Sequence, residues 1–541
     1  MVIRPPSSIL SASVLALLVL PMSAAQAIPP RKQTVKLEMA DGVALGTDVY
    51  QRKGRGPYPT ILVRTPYNKN TDTGQVTYAE DGYAVVIQDV RGRYSSEGDY
   101  DAFLSDGWGE AQDGYDTIEW IAAQSWSNGK VCITGSSARG ITSYLAAGAV
   151  PPHLTCVWAE IGTGDLYPTA YEGGAYRQEL ISGWLYGLAE GDVVPMVQEN
   201  YLYSDMWSSV HMPDRYTDVS IPIFGLAGWW DPFREGGLNM FTGVNGYGTE
   251  NAEDHQWLVV GPWTHGANDT TEQGEFNYPP NSVYDDEVLE AKWFDYWLKG
   301  IDNGVLDEPR VRYYLMGAQG EQEAPGNIWK TASSWPVPAT PTAYFLRSDG
   351  TLATSASTGS PLSYLYDPAD PVPTNGGNNL LIPAGPYDQK ALESRDDVLV
   401  FTGPVLSSPL EITGAVTARL FVSSDAIDTD FTVKMTDVYP DGRSMLVLDG
   451  VLRMRSREGS DREVFMTPGT VYEVEVELGS TAMVFNSGHQ IRVAISSSNA
   501  ARYLAHPNVA DMFDHAGAIP AHQTLYVDSS RPSSLVLPVV K

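Results

Sequence analysis

The segment Val131-Cys132-Ile133-Thr134-Gly135-Ser136-Ser137-Ala138-Arg139-Gly140 runs from an apolar, β-branched stretch through a tight turn into a helical pattern. That setting suits a nucleophilic serine. The turn lifts a hydroxyl clear of the sheet, and small neighbours such as Gly135 allow the crowded backbone. The helix N-terminus then brings amide N–H groups to where negative charge develops on an attacked carbonyl. Gly135, two residues before, selects Ser137 over Ser136. The usual second glycine is displaced, because Arg139 holds its position and Gly140 comes one residue later, so this turn taken alone has a purely structural reading as well. A serine needs a base, and the base needs an acid to orient it. The run Ile223 to Leu226 leads into Ala227-Gly228-Trp229-Trp230-Asp231-Pro232-Phe233, and Leu258 to Val260 leads into Gly261-Pro262-Trp263-Thr264-His265-Gly266. Singly, Asp231 is a turn former before proline and His265 a surface or capping histidine. Together, Ser137, Asp231 and His265 follow three strand-like runs in the chain order nucleophile, acid, histidine. The Ala138 amide supplies one oxyanion donor. The loop Arg64-Thr65-Pro66-Tyr67-Asn68 offers the Tyr67 hydroxyl as a second, although a tyrosine after proline is ordinarily packing.

These groups must be held by strands that end at one edge. Thr60 to Arg64, Tyr83 to Ile87 and Val131 to Thr134 read as strands, whereas Asp113 to Gln124 and Ile141 to Ala149 have helical spacing. Alternation of the two predicts an α/β fold with a mostly parallel sheet covered on both faces, and the residue order is that of an α/β-hydrolase. We assign residues 28–164 and 217–345 to this unit. Residues 165–216, aromatic and helical, read as an insertion. The helical pattern from Asp285 to Lys299 closes the first unit. Turn-rich text around 325–385 then gives way to alternating runs such as Thr417 to Val422 and Val471 to Val476. These predict a β-sandwich over 346–541.

Composition narrows the function. The chain has 541 residues and a formal charge of −31, which disfavours nucleic acid and anionic lipid as partners. Two cysteines exclude a disulfide-rich scaffold and any four-cysteine metal centre. Residues 1–27 have the layout of a secretory signal: Arg4, an apolar run from Leu10 to Leu20, and Ala25-Gln26-Ala27 before the cut. A secreted or periplasmic location follows. Cys132 and Cys156 both lie in strand-like runs, where buried free thiols are expected and a disulfide stays open. Asp425-Ala426-Ile427-Asp428-Thr429-Asp430 lacks the glycine and terminal glutamate of a calcium loop, and is read as a solvated sandwich loop with no metal. Arg91 and Asp89 are read as structural, holding adjacent turns.

The segments above, with Asp81 to Gly92, Tyr366-Asp367-Pro368-Ala369-Asp370-Pro371-Val372-Pro373, Asp428 to Phe431 and Ser496-Ser497-Ser498-Asn499, together resemble the cocaine esterase and X-Pro dipeptidyl-peptidase family of serine hydrolases. The resemblance implies an α/β-hydrolase core, a helical cap over 165–216 and a C-terminal jelly roll. It implies a triad of Ser137, Asp231 and His265, with Tyr67 as oxyanion donor. Two positions depart from the family. Ala138 stands where cocaine-esterase-like members carry tyrosine, and Phe233 and Arg234 stand where ammonium-binding members carry Glu-Asp. Phe233 resembles the aromatic that lines an acyl pocket, and Trp229, Trp230 and Phe485 are candidates to join it. The expected activity is a cofactor-free serine carboxylesterase acting on a small, aromatic or apolar acyl substrate. The alternatives are an amidase, β-lactam acylase, α-amino-acid ester hydrolase or X-Pro peptidase, or a silent hydrolase scaffold that binds a polymer or glycan. A homo-oligomer is left open.

Overall fold

The Val- and Ile-rich runs are buried along nearly their whole length, as strands of a sheet covered on both faces must be. The structure is a computed structural model describing residues 29–541 apart from 53, 55, 322 and 323. The expected signal segment, residues 1–27, lies outside the described residues. Among these, one sheet has ten strands: β1 (Arg31–Glu38), β2 (Ala44–Gln51), β3 (Tyr58–Thr65), β4 (Ala84–Asp89), β5 (Ser127–Ser136), β6 (Leu154–Glu160), β7 (Ile223–Trp230), β8 (Gln256–Thr264), β9 (Val311–Leu315) and β10 (Ile328–Ala332). Their order is β1-β2-β4-β3-β5-β6-β7-β8-β9-β10. From β4 to β9 neighbouring strands are parallel, so their C-terminal ends share one edge. This is the arrangement of an α/β hydrolase.

Helices α1 (Asp113–Ala122) and α2 (Ala138–Gly148) follow, and α2 is buried over almost its entire length. Between β6 and β7 the chain forms short helices α3 (Leu166–Ala170), α4 (Gln178–Gly187), α5 (Val194–Glu199) and α6 (Asp205–Ser208). Then come α7 (Arg234–Tyr247) and α8 (Glu287–Lys299). The rest is β-rich, with a seven-stranded and a four-stranded sheet among the described residues. The change of sheet falls a few residues before 346, since β11 (Thr340–Leu346) already pairs with the C-terminal strand Ser534–Val539. In the larger sheet β12 (Leu410–Ser424) pairs with β15 (Tyr472–Phe485); the smaller sheet contains β13 (Asp430–Val438) and β14 (Ser444–Arg453). One apolar cluster runs across both regions, from Trp229, Trp230 and Leu258 to Val416, Val433 and Phe485.

Two expectations are corrected. Cys132 and Cys156 are not free thiols but a disulfide. A register shift after Val131 sets them opposite one another on β5 and β6, with Cα atoms 4.7 Å apart, inside the range that a disulfide spans. The acidic loop at 425–430 is not solvated throughout. Asp425 is exposed, but Asp428 is buried between Arg455 and His506, and Asp430 pairs with Arg453. Arginines supplied by β14 and the turn after it make burial of those carboxylates tolerable.

Candidate active site

Ser137 leaves the end of β5 with φ 59° and ψ −126°, a strained conformation for a residue with a side chain. Its neighbours permit the turn. A side chain on Gly135 would collide with Arg139, and one on Gly140 would lie 2.7 Å from the Glu160 carbonyl. The displaced glycine therefore serves close packing of α2 on β6. Arg139 turns outward, its guanidinium bonding Asp72 at 2.5 Å and the Ser136 hydroxyl at 2.9 Å. The Ser137 N–H donates to the Glu160 carbonyl, which pins the elbow to β6. Burial, then nearby Asp286, pushes the Glu160 carboxyl above its ordinary range, and the Trp158 indole donates to it.

The three elements expected to carry the chemistry meet. His265 Nε2 is 2.8 Å from Ser137 Oγ, and His265 Nδ1 is 2.5 Å from Asp231 Oδ2. Asp231 is fully buried, and its other oxygen accepts the Phe233 N–H at 2.7 Å. The arrangement has the geometry to pass a proton between a hydroxyl and an imidazole whose tautomer a carboxylate fixes. Ala138 opens α2, where first-turn N–H groups have no partner within the helix. Tyr67 sits beyond the end of β3, packed against the cluster that holds Ala138 and Phe233. Its loop is held by the Thr65 hydroxyl, which accepts the Tyr67 N–H, and by Arg93 Nε on the Pro66 carbonyl.

Ser137 and Ala138 open on a cavity of about 620 Å³ of empty space, its mouth included. Ile141, Leu166, Leu180, Trp184 and Phe233 are among its walls, and no charged side chain lines it among the described residues. Phe233, edge-on to the His265 ring at 5.6 Å, is the one expected pocket aromatic found there. Trp229, Trp230 and Phe485 do not line this cavity; they belong to the core shared with the β-rich region. Strand alternation explains the difference for Trp229, whose indole reaches across to the Tyr314 carbonyl. Phe485 ends β15 opposite Leu410, fully buried. Arg234 also points away, donating to the Trp229 and Leu478 carbonyls.

Three supporting residues had no sequence signal. Asn378 Nδ2 donates to the Asp231 carbonyl at 2.9 Å, and Arg177 bonds the Pro232 and Asn378 carbonyls. Gln273 accepts from the Thr264 N–H and hydroxyl and donates to the Ala267 carbonyl, bracing the turn that presents His265. Asn378 lies in text that reads as linker, and nothing local pointed 147 residues upstream.

The X-Pro dipeptidyl-peptidase (S15 family) pattern matches residues 41–195 and 188–267, and the X-Pro dipeptidyl-peptidase C-terminal non-catalytic domain matches 303–536. The cocaine esterase of Rhodococcus sp. is 34% identical, with 94% of this chain and 98% of that protein aligned. Two solved structures share the fold at 24% identity. An aminopeptidase from a marine sediment Thaumarchaeota archaeon has a TM-score of 0.82 and covers 98% of this chain and 99% of its own. An α-amino acid ester hydrolase has a TM-score of 0.81, covering 97% and 100%. On that identity and coverage, the chain belongs to the cocaine esterase and X-Pro dipeptidyl-peptidase family of serine hydrolases.

Proposed function

We propose that the protein is a secreted or periplasmic serine carboxylesterase that hydrolyses esters of small apolar or aromatic acids. The observation that carries the reading is the hydrogen-bonded chain Ser137–His265–Asp231 opening on an uncharged cavity. Ser137 Oγ attacks the ester carbonyl carbon while its proton passes to His265 Nε2. The carbonyl electrons move onto oxygen, facing the Ala138 N–H and the Tyr67 hydroxyl. Collapse breaks the acyl–oxygen bond, and the alcohol leaves with the proton held by His265. Water, deprotonated by His265, then releases the acid and restores the serine. Asp231 holds the imidazole and stabilises its cation.

In this reading the helices between β6 and β7 form a cap, the β-rich region is a jelly roll, and no cofactor takes part. The substrate is a small ester, with no nucleic acid or membrane as partner. An α-amino ester or aminoacyl-prolyl substrate is disfavoured, because Phe233 lines the cavity and Arg234 is turned away from it. A fluorophosphonate probe tests the reading: wild type should be labelled and Ser137→Ala should not. Equal labelling of the two would defeat it. Rates on p-nitroanilides matching those on p-nitrophenyl esters would favour an amidase. N-terminal analysis of protein from cell fractions should find Ile28 outside the cytoplasm, and light scattering decides between monomer and oligomer.

A further inference from the structure

Trp184 lines the cavity, as Tyr67 does not, and reaches the Tyr67 hydroxyl. It comes from α4, in the segment inserted after β6, yet its indole Nε1 lies 3.2 Å from the Tyr67 hydroxyl, 117 residues away in sequence. An indole N–H donates and does not accept. Tyr67 must therefore accept this bond, and its own proton stays free to be donated elsewhere. The same Trp184 lines the cavity onto which Ser137 and Ala138 open. Its ring is clamped, stacked on Phe103 at 5.5 Å with 14° between the planes and tilted against Tyr100 at 6.5 Å. Below, Arg93 and Thr65 hold the Tyr67 backbone. The Tyr67 backbone is thus held by its own loop, and its hydroxyl by the insertion.

We propose that Trp184 is a positioning residue for the oxyanion donor: its N–H occupies an acceptor site of the Tyr67 hydroxyl, directs the phenolic proton into the cavity toward the carbonyl being attacked, and strengthens the bond that proton makes. Accepting one hydrogen bond polarises a hydroxyl and improves it as a donor. The inference rests on Tyr67 acting as oxyanion donor, as proposed above. It adds that the inserted helices set the geometry of catalysis as well as enclosing the acyl group.

The test is a double-mutant cycle on kcat and KM for a p-nitrophenyl ester. Tyr67→Phe should lower kcat about 10²-fold or more, as loss of an oxyanion donor does. Trp184→Phe keeps an aromatic wall and removes the N–H. It should lower kcat about fivefold, the change carried by one ordinary neutral hydrogen bond, with KM nearly unchanged. In the Tyr67→Phe background the same change should cost nothing. If Trp184→Phe folds poorly, 3-benzothienylalanine at position 184 keeps the indole shape with sulfur in place of the N–H, and the same cycle applies. Equal losses with and without the Tyr67 hydroxyl, or a change confined to KM, would overturn the inference and leave Trp184 as pocket wall. An unchanged kcat in Tyr67→Phe would instead overturn the oxyanion reading beneath it.

Discussion

At the scale of single residues, the chemistry depends on which atoms face each other. Asp231 presents one oxygen to His265 Nδ1 and the other to the Phe233 N–H. Asp231→Asn keeps the shape but offers an amide donor to His265, favouring the wrong tautomer. We expect kcat to fall about 10⁴-fold with little change in thermal stability, read by ester hydrolysis and melting. Ala138 is a second lever. It lines the cavity, so Ala138→Tyr should fill space beside Ser137 and leave the backbone N–H in place. KM should rise for p-nitrophenyl benzoate and butyrate and stay near wild type for the acetate; a uniform change would show that Ala138 does not bound the acyl site. That Ser137, Asp231 and His265 would meet was legible because each sits at the end of a strand with a recognisable pattern. Trp229, Trp230 and Phe485 belong instead to the core shared with the β-rich region, because residue type announces an aromatic but not which neighbouring element will cover it.

At the scale of elements, glycines and buried ion pairs determine how closely strands and helices approach. Gly140 lets α2 lie against the end of β6, which accounts for the irregular spacing after Ser137. Gly140→Ala places a methyl 2.7 Å from the Glu160 carbonyl and should destabilise the fold by about 1–3 kcal/mol, read by denaturant titration. Asp428 gives a pH prediction. Burial opposes its ionisation, but His506, Arg455 and Arg453 outweigh that and hold the carboxyl at about 2, below its ordinary 3.8. A depressed carboxylate stabilises the fold above the ordinary value, and that contribution is lost as pH falls from roughly 4 through about 2. The stability of wild type should therefore drop across that window. Asp428→Asn takes the shared carboxylate from Arg455 and His506 while Arg455 keeps Glu463, and should cost about 1–3 kcal/mol at neutral pH and show a shallower acid slope. The pairing was hidden in the sequence, because Asp428 and Arg455 lie 27 residues apart on separate turns.

At the scale of the whole molecule, the α/β region and the β-rich region are not independent. Arg234 of α7 bonds the Leu478 carbonyl, Glu235 accepts the Ser480 N–H, and one apolar cluster spans both. Asn378, beyond the last strand of the ten-stranded sheet, holds the turn of Asp231. Calorimetry should find a single unfolding transition, and two separated transitions would show that this interface contributes little. The sequence by itself determined the strand and helix succession and the chain order of Ser137, Asp231 and His265, because these rest on local periodicity and on residue type at strand ends; the family it showed through the resemblance of its motifs. Only the tertiary structure decided that Cys132 and Cys156 are joined, that Phe233 alone of the proposed aromatics lines the cavity, and that Asn378, Gln273 and Trp184 support the site. Those outcomes depend on register between strands, on which face of a strand a side chain leaves, and on contacts between segments far apart in the chain. Facing alternates along a strand, but which of the two faces meets the cavity, like register and distant contacts, is set only when the segments come together, so no local pattern records it.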